Sequence, residues 1–182
     1  EIGKKASSAS TIPSSVTSLD SDCFTKCNIQ NIIIPDSVTS FGDTTFMDSG
    51  LQSITIGTGV TQIPERCFQS CTSLTSIDLP DNVTLIDGGS SDYYGAFNSC
   101  TSLTTVTIGT GVTSIEDYAF NNCTSLSSVT IKATTPPTLG GSNVFKNNAS
   151  GRKIYVPADS VNAYKAASNW RNYASDIEAI SE

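Results

Sequence analysis

The sequence predicts an α/β solenoid, a coil of stacked repeats with parallel strands. Three observations carry this. Six phenylalanines, Phe24, Phe46, Phe68, Phe97, Phe120 and Phe145, recur at steps of 22, 22, 29, 23 and 25 residues. The residue opening each apolar triplet, Ile29, Leu51, Leu74, Leu103 and Leu126, recurs at 22, 23, 29 and 23. Both series contain the same 29, so one repeat has gained about six residues. Within each triplet, apolar residues alternate with a period of two and are rich in β-branched types, the pattern of a half-buried strand. Self-similarity at a fixed period of about 20–50 residues marks repeat architectures.

The unit reads L-x-x-[IV]-x-[IL]-x-x-x-V-x-x-[IF]-x-x-x-[CAT]-F-x-x-[CS]. Its strand slots are Ile32, Ile54, Ile77, Val106 and Val129, followed two residues later by Ile34, Ile56, Leu79, Ile108 and Ile131. A corner follows, written either Pro-Asp (Pro35, Pro80) or Gly-Thr-Gly (Gly57, Gly109). Proline presets φ there, and glycine permits a φ above zero. Val38, Val60, Val83 and Val112 come next, then Phe41, Ile63, Ile86 and Ile115. Acidic residues in "EDYAF" and "ERCFQS" suit the start of a short helix. A small residue before each Phe leaves room for the ring to turn inward. No unit buries its own apolar side, but stacked units do, at about 4.8 Å per rung.

Residues 1–11 read as a polar tail or linker, 12–145 as repeats of about 22–23 residues with one expanded near 87–94, and 146–182 as a C-terminal cap. Ile12, Val16, Leu19 and Phe24 fall in register with the second half of a unit, but its strand slots are Ser7 and Ser10. That first rung is either a cap or a cut through a longer array. In the C-terminal segment, Ile154 and Val156 predict one last strand. "PADSVNAYKAASNW" predicts a helix capped by Asp159 or Ser160, with Val161, Tyr164 and Ala167 or Ser168 on one side. Trp170, the only tryptophan, is expected to pack with it.

"LTTVTIGTGVTSIEDYAFNNC" (103–123) and "LQSITIGTGVTQIPERCFQSC" (51–71) resemble the BspA-like, or Treponema pallidum-type, leucine-rich repeats. The resemblance covers about residues 12–145, and the tail 154–180 is similar to the ending of such proteins in gut Bacteroidetes. It implies a right-handed, horseshoe-like leucine-rich-repeat solenoid. The parallel sheet would lie on the concave face, with short helices and turns on the convex side. It also implies a secreted or cell-surface protein, adhesin-like, that binds host or microbial proteins or glycans, and it carries no catalytic residues. Departures are Ser49 in a cysteine slot, the expanded third full repeat and the weak first rung.

Composition excludes several functions. A net charge of −7, from 10 basic and 17 acidic residues, opposes binding to nucleic acid or anionic lipid. The absence of histidine removes Ser-His-Asp and Cys-His nucleophilic arrangements and the commonest metal ligand. No apolar run approaches the roughly 20 residues of a membrane span. Cys27, Cys71, Cys100 and Cys123 share one slot, as small buried apolar residues do, so the six cysteines read as buried free thiols. A disulfide among neighbouring thiols and a metal site are the alternatives. Asp87 and Asp92 around the insertion loosely suggest a Ca²⁺ cage, but match no established loop. No cofactor is expected, and the chain is expected to be a monomer.

The candidate binding residues fall in two regions. One is the insertion 88–94, expected to protrude as a loop carrying Tyr93 and Tyr94; the alternative folds them back on the body. The other is the sheet face, with columns Asn31, Ser53, Ser76, Thr105, Ser128 and Ile33, Thr55, Asp78, Thr107, Thr130. Asp78, Thr105 and Thr107 are its candidates, with Lys132, Lys153 and Tyr155 at its edge. Two readings compete with an interaction module: a structural stalk that presents another domain and, disfavoured by the lack of a catalytic constellation, an enzyme.

Overall fold

The computed structural model describes residues 9–88 and 94–181. They form a parallel β-solenoid of about seven turns with few helices. Each complete turn has a longer strand, a corner, a two-residue strand and a hydrogen-bonded turn segment. The longer strands are Ser10–Thr11, Asn31–Ile33, Ser53–Thr55, Ser76–Leu79, Thr105–Ile108, Ser128–Ile131 and Lys153–Val156, closed by Ile177–Ala179. Their registers follow the repeat: Ile32 pairs with Ile54, and Ile77, Val106, Val129 and Ile154 lie side by side.

The core is what the apolar slots predict. Ile32, Ile77, Val106, Val129 and Ile154 are buried, and so are Val38, Val60, Val83 and Val112. The six phenylalanine rings stack in one column. Successive centroids lie 5.3, 5.2, 5.0, 5.0 and 5.6 Å apart, with interplanar angles of 7, 8, 2, 3 and 11°.

The segments around these rings are turns, not the short helices expected from "EDYAF". Each uses residues with left-handed backbone: Thr44 and Asp48, Arg66 and Ser70, Tyr118 and Asn122 have φ of 55–63°. This conformation costs energy outside glycine, and inter-rung hydrogen bonds offset it. Asp48 N–H donates to the Gln69 carbonyl at 2.9 Å, Ser70 to Asn98 at 2.8 Å and Asn122 to Lys146 at 2.9 Å. A helix would direct those N–H groups into its own turn.

The corner glycines do not use their conformational freedom, since none of them has positive φ. They are required by close approach. A Cβ on Gly59 would lie 2.2 Å from the Asp36 carbonyl oxygen, and one on Gly111 2.0 Å from that of Asp81. Asp36 Oδ1 accepts Thr58 N–H at 2.7 Å, and Asp81 Oδ1 accepts Thr110 N–H at 2.8 Å. A Pro-Asp corner thus nests against the Gly-Thr-Gly corner above it. The Thr58 bonds hold the Asp36 carboxyl below its ordinary pKa.

Cys67, Cys71, Cys100 and Cys123 are buried, but Cys23 and Cys27 are exposed, which corrects the reading that all six thiols are interior. The slot has a specific partner. The thiols of Cys71, Cys100 and Cys123 donate to the Phe46, Phe68 and Phe97 carbonyls of the preceding rung, at 3.1, 3.0 and 3.1 Å. Cys27 lies in the first described rung, with no preceding Phe carbonyl over it. In the last rung Asn148 takes the slot, and its Nδ2 donates to the Phe120 carbonyl at 2.8 Å.

Burial pushes the Cys71 thiol up from 9.0 to about 11 and those of Cys67 and Cys100 well above 9.0. An unfolded chain loses these protons from about pH 9, while the folded chain keeps them. Stability is therefore intact below pH 9 and falls as pH rises through about 11. For Cys71 alone the loss reaches about 2–3 kcal/mol. Urea midpoints should drop over this window, and Cys71→Ala should flatten the drop; equal slopes for both proteins would refute the burial.

Past Lys153–Val156, Ala158–Ser160 and Val161–Ala166 are helical. Neither predicted capping side chain caps: Ser160 Oγ instead donates to the Thr134 carbonyl at 2.7 Å. Tyr164 and Trp170 are buried on the last rung, and Val161 and Ala167 pack at the margin.

Candidate binding face

On the longer-strand face, residues between the buried slots point outward in register. One row runs Asp78, Thr107, Thr130, Tyr155, Glu178; the next runs Ser76, Thr105, Ser128, Lys153. Flanking hydroxyls are consumed by the fold. Thr104 Oγ1 donates to the Thr75 carbonyl at 2.9 Å and Ser127 Oγ to the Thr104 carbonyl at 3.4 Å. Thr55, Thr105, Thr107, Ser128 and Thr130 make no such side-chain bond among the described residues, so their hydroxyls face solvent unpaired.

The face is interrupted at one place. The longer strands form two sheets, which part between Ser53–Thr55 and Ser76–Leu79. Elsewhere Thr104 N–H bonds the Thr75 carbonyl at 2.8 Å and Ile34 N–H the Thr55 carbonyl at 2.9 Å; the equivalent bonds from Thr75 to Gln52 and from Ile56 to Asp78 are missing. The break falls where the corner changes length. Cys27-Asn28-Ile29 and Ser49-Gly50-Leu51 have one residue before the strand opener, whereas Cys71-Thr72-Ser73-Leu74 and the two turns after it have two. Ile54 and Ile56 are accordingly 9% and 7% exposed, against 1% and 0% for Val106 and Val129.

A hollow of about 730 Å³ opens at this break, and Thr55, Asp78, Asp81, Asn82, Thr107 and Lys132 line it. The fold thus brings Asp78, Thr107 and Lys132 together. Asp81 and Asn82 were missed in the sequence because they read only as corner residues. Lys132 stands in the corner slot that Pro35, Gly57, Pro80 and Gly109 occupy elsewhere, so it is the long side chain of that series. Asp78 and Lys132 are exposed, and neither has an ion pair or side-chain hydrogen bond among the described residues.

The other candidates are placed differently. Thr105 is exposed in the neighbouring row and does not line the hollow. Lys153, expected at the edge of the face, is engaged by Glu178, whose carboxylate raises the ammonium pKa through a 2.5 Å hydrogen bond. Tyr155 is half-buried between Thr130 and Glu178. Tyr93 lies outside the described residues. Tyr94 does not protrude: the Arg66 guanidinium sits 3.4 Å from its ring centroid, and its carbonyl accepts Arg66 N–H at 3.1 Å. Gly88 is buried too, so close to the Asp117 carbonyl that a Cβ would meet it at 2.0 Å. Gly88 and Tyr94, the ends of the expected loop, are therefore held against the turn segments, and residues 89–93 lie outside the described residues. Asp87 is half-buried, and Asp92 lies outside the described residues.

The family model for the BspA type leucine rich repeat region matches residues 4–90 and 91–174, in six copies. No curated protein matches the chain. Among solved structures, the chain is similar to a leucine rich cell surface protein from Faecalibacterium prausnitzii, at 32% identity and a TM-score of 0.61, over 78% of this chain and 35% of that one. It shares a fold with the pneumococcal vaccine antigen PcpA, at 19% identity and a TM-score of 0.72, over 96% of this chain and 41% of that one. A leucine-rich repeat protein from Bacteroides ovatus shares it at 23% identity and 0.56, over 80% and 48%. The chain thus spans less than half the length of each. No described helix is long and apolar enough to cross a membrane. With its period, slots and matched copies, the chain belongs to the BspA-type leucine-rich repeat family.

Proposed function

We propose that this chain is a monomeric, non-enzymatic interaction module of a cell-surface or secreted protein, which binds a protein or glycan partner through its longer-strand face. The observation that carries this reading is the division of hydroxyls. Flanking Thr104 and Ser127 are spent on inter-rung bonds, while Thr55, Thr105, Thr107, Ser128 and Thr130 are left to solvent, and Thr55 and Thr107 line a hollow. Similarity to a leucine rich cell surface protein supports the location. On this reading the coil is right-handed and the face concave. Partners are host or microbial surface proteins or glycans, and turnover is not expected.

The alternative, a spacer, is favoured by the scarcity of anchors: binding hot spots are rich in Trp, Tyr and Arg, and of these the two outward rows contain only Tyr155. An array of matrix proteins and glycans decides between them. A binder should emerge, and the triple replacement of Asp78, Thr107 and Lys132 by Ala should weaken it by at least about tenfold, while Thr84→Ala leaves it unchanged. An empty array leaves the spacer.

A further inference from the structure

We infer that the hollow at the sheet break holds an extended peptide, whose basic side chain meets Asp78 and Asp81 and whose acidic side chain meets Lys132. This rests on the longer-strand face being the binding face, and it names the ligand class.

Three features favour a peptide over a sugar. The first is main-chain chemistry. Ile56 N–H and the Asp78 carbonyl, which the sheet elsewhere joins across rungs, lack that bond here and border the hollow. These groups lie between adjacent rungs, so a peptide that crosses the rungs can meet them with its own main-chain N–H and C=O groups, and the side-chain positions beside them give specificity. The second is the lining, which contains no aromatic ring on which a sugar would stack. The third is charge. Asp78 and Lys132 are opposite, exposed and unpaired, in a surface of small neutral residues. Asp81 keeps its Oδ2 free while Oδ1 takes Thr110 N–H.

The spacing fits. Asp78 and Lys132 belong to rungs two apart, which is about 10 Å at strand spacing and about three residues of extended peptide. Gly109 stands in the intervening corner slot without a side chain, and Lys132 and Asp78 both line the hollow. Complementary charges at such sites set specificity and association rate more than raw affinity. Binding is therefore expected to be modest and to weaken with salt.

The test uses fluorescently labelled peptides with one Lys and one Glu, separated by one to three serines in a Ser/Thr background, titrated with the whole chain and read by anisotropy. At least one spacing should bind saturably. Asp78→Lys and Lys132→Glu should each weaken it by at least about tenfold. Both residues are exposed, so circular dichroism should be unchanged. Against Lys132→Glu, a peptide with Lys in place of Glu should recover the binding. No saturable binding at any spacing, equal binding of the charge-altered peptide to the unaltered chain, or insensitivity to both substitutions overturns the inference. The array of matrix proteins and glycans separates the two ideas. If a glycan binds and the triple replacement of Asp78, Thr107 and Lys132 releases it while the peptides fail, the face is a binding face and the peptide inference is wrong. If neither binds, both fall.

Discussion

Phe97→Ala is expected to destabilise the chain by about 3–5 kcal/mol, lowering the urea midpoint without altering the fold's register. Phe97 is fully buried, and its ring lies 5.0 Å from those of both Phe68 and Phe120, at 2 and 3° to their planes. Removing it deletes two ring contacts as well as buried area, and each aromatic contact contributes about 0.5–1.5 kcal/mol beyond the area. The cavity cannot collapse easily. Rung spacing on either side is held by main-chain bonds from Phe68 N–H to the Ala96 carbonyl and from Phe97 N–H to the Ala119 carbonyl, both 2.8 Å. Phe24 is the control: it is only half-buried, with one stacked neighbour in the column. Phe24→Ala should cost roughly half as much, because both the buried area and the ring contacts are fewer. Equal costs at the two positions would mean that the column is not the centre of the fold.

The column was legible because aromatic burial leaves a periodic trace: one Phe per turn, one small residue before it. The rung pairing was legible for the same reason, since period-two alternation fixes which residues face inward. Other features depend on the neighbouring rung, which a local reading does not contain. Glycine at position 111 looks like a request for positive φ, yet the residue that demands it is Asp81, 30 positions earlier in the chain. "EDYAF" looks like a helix start, yet Glu116 N–H bonds the Ile86 carbonyl of the preceding rung and Phe120 N–H the Val144 carbonyl of the next. The cysteine slot looks like simple apolar filling, while its thiols also close Phe carbonyls across rungs. Exposure of Cys23 and Cys27 follows from their place at the end of the described stack, not from their slot.

The candidate site was legible in part. Asp78 and Thr107 follow from strand alternation, and Lys132 follows from its breach of the Pro/Gly corner rule. Its signal was a step of 23 after a step of 22, visible in the opener series but without meaning until two sheets are seen to part there. Lys153 and Tyr94 illustrate the converse: each looks like an available anchor in one dimension, and each is engaged by a residue far along the chain, Glu178 and Arg66.

Trp170→Ala is expected to open the C-terminal end of the stack, again at a cost of about 3–5 kcal/mol. A solenoid is quasi-one-dimensional, so its end rung needs a cover, and here the cover is built from aromatic side chains bonded to main-chain carbonyls. Trp170 is fully buried, packs on Tyr164 at 5.0 Å and on Phe145 at 6.3 Å, and donates Nε1–H to the Pro137 carbonyl at 2.7 Å. Tyr164 donates its hydroxyl to Ala133 at 2.8 Å, and Tyr173 donates its own to Ser142 at 2.7 Å while accepting Phe145 N–H at 3.3 Å. That last bond takes the place of the next rung's carbonyl, which receives the Phe N–H everywhere else in the column. Arg152 completes the closure, bonding the Phe145 carbonyl at 2.9 Å and Asp176 at 2.6 Å. Loss of the indole should therefore release Ile154, Tyr164 and Tyr173 together, while rungs near Phe46 and Phe68 keep their protection. Hydrogen exchange resolves this: amides within 145–180 should exchange faster by orders of magnitude, and those within 31–79 should change little. Trp170→Phe separates ring from hydrogen bond. It keeps most of the packing and leaves the Pro137 carbonyl unpaired, at about 1–3 kcal/mol. Uniform acceleration across the whole chain would mean that the cap and the repeats unfold as one unit, and that the end rung has no independent closure.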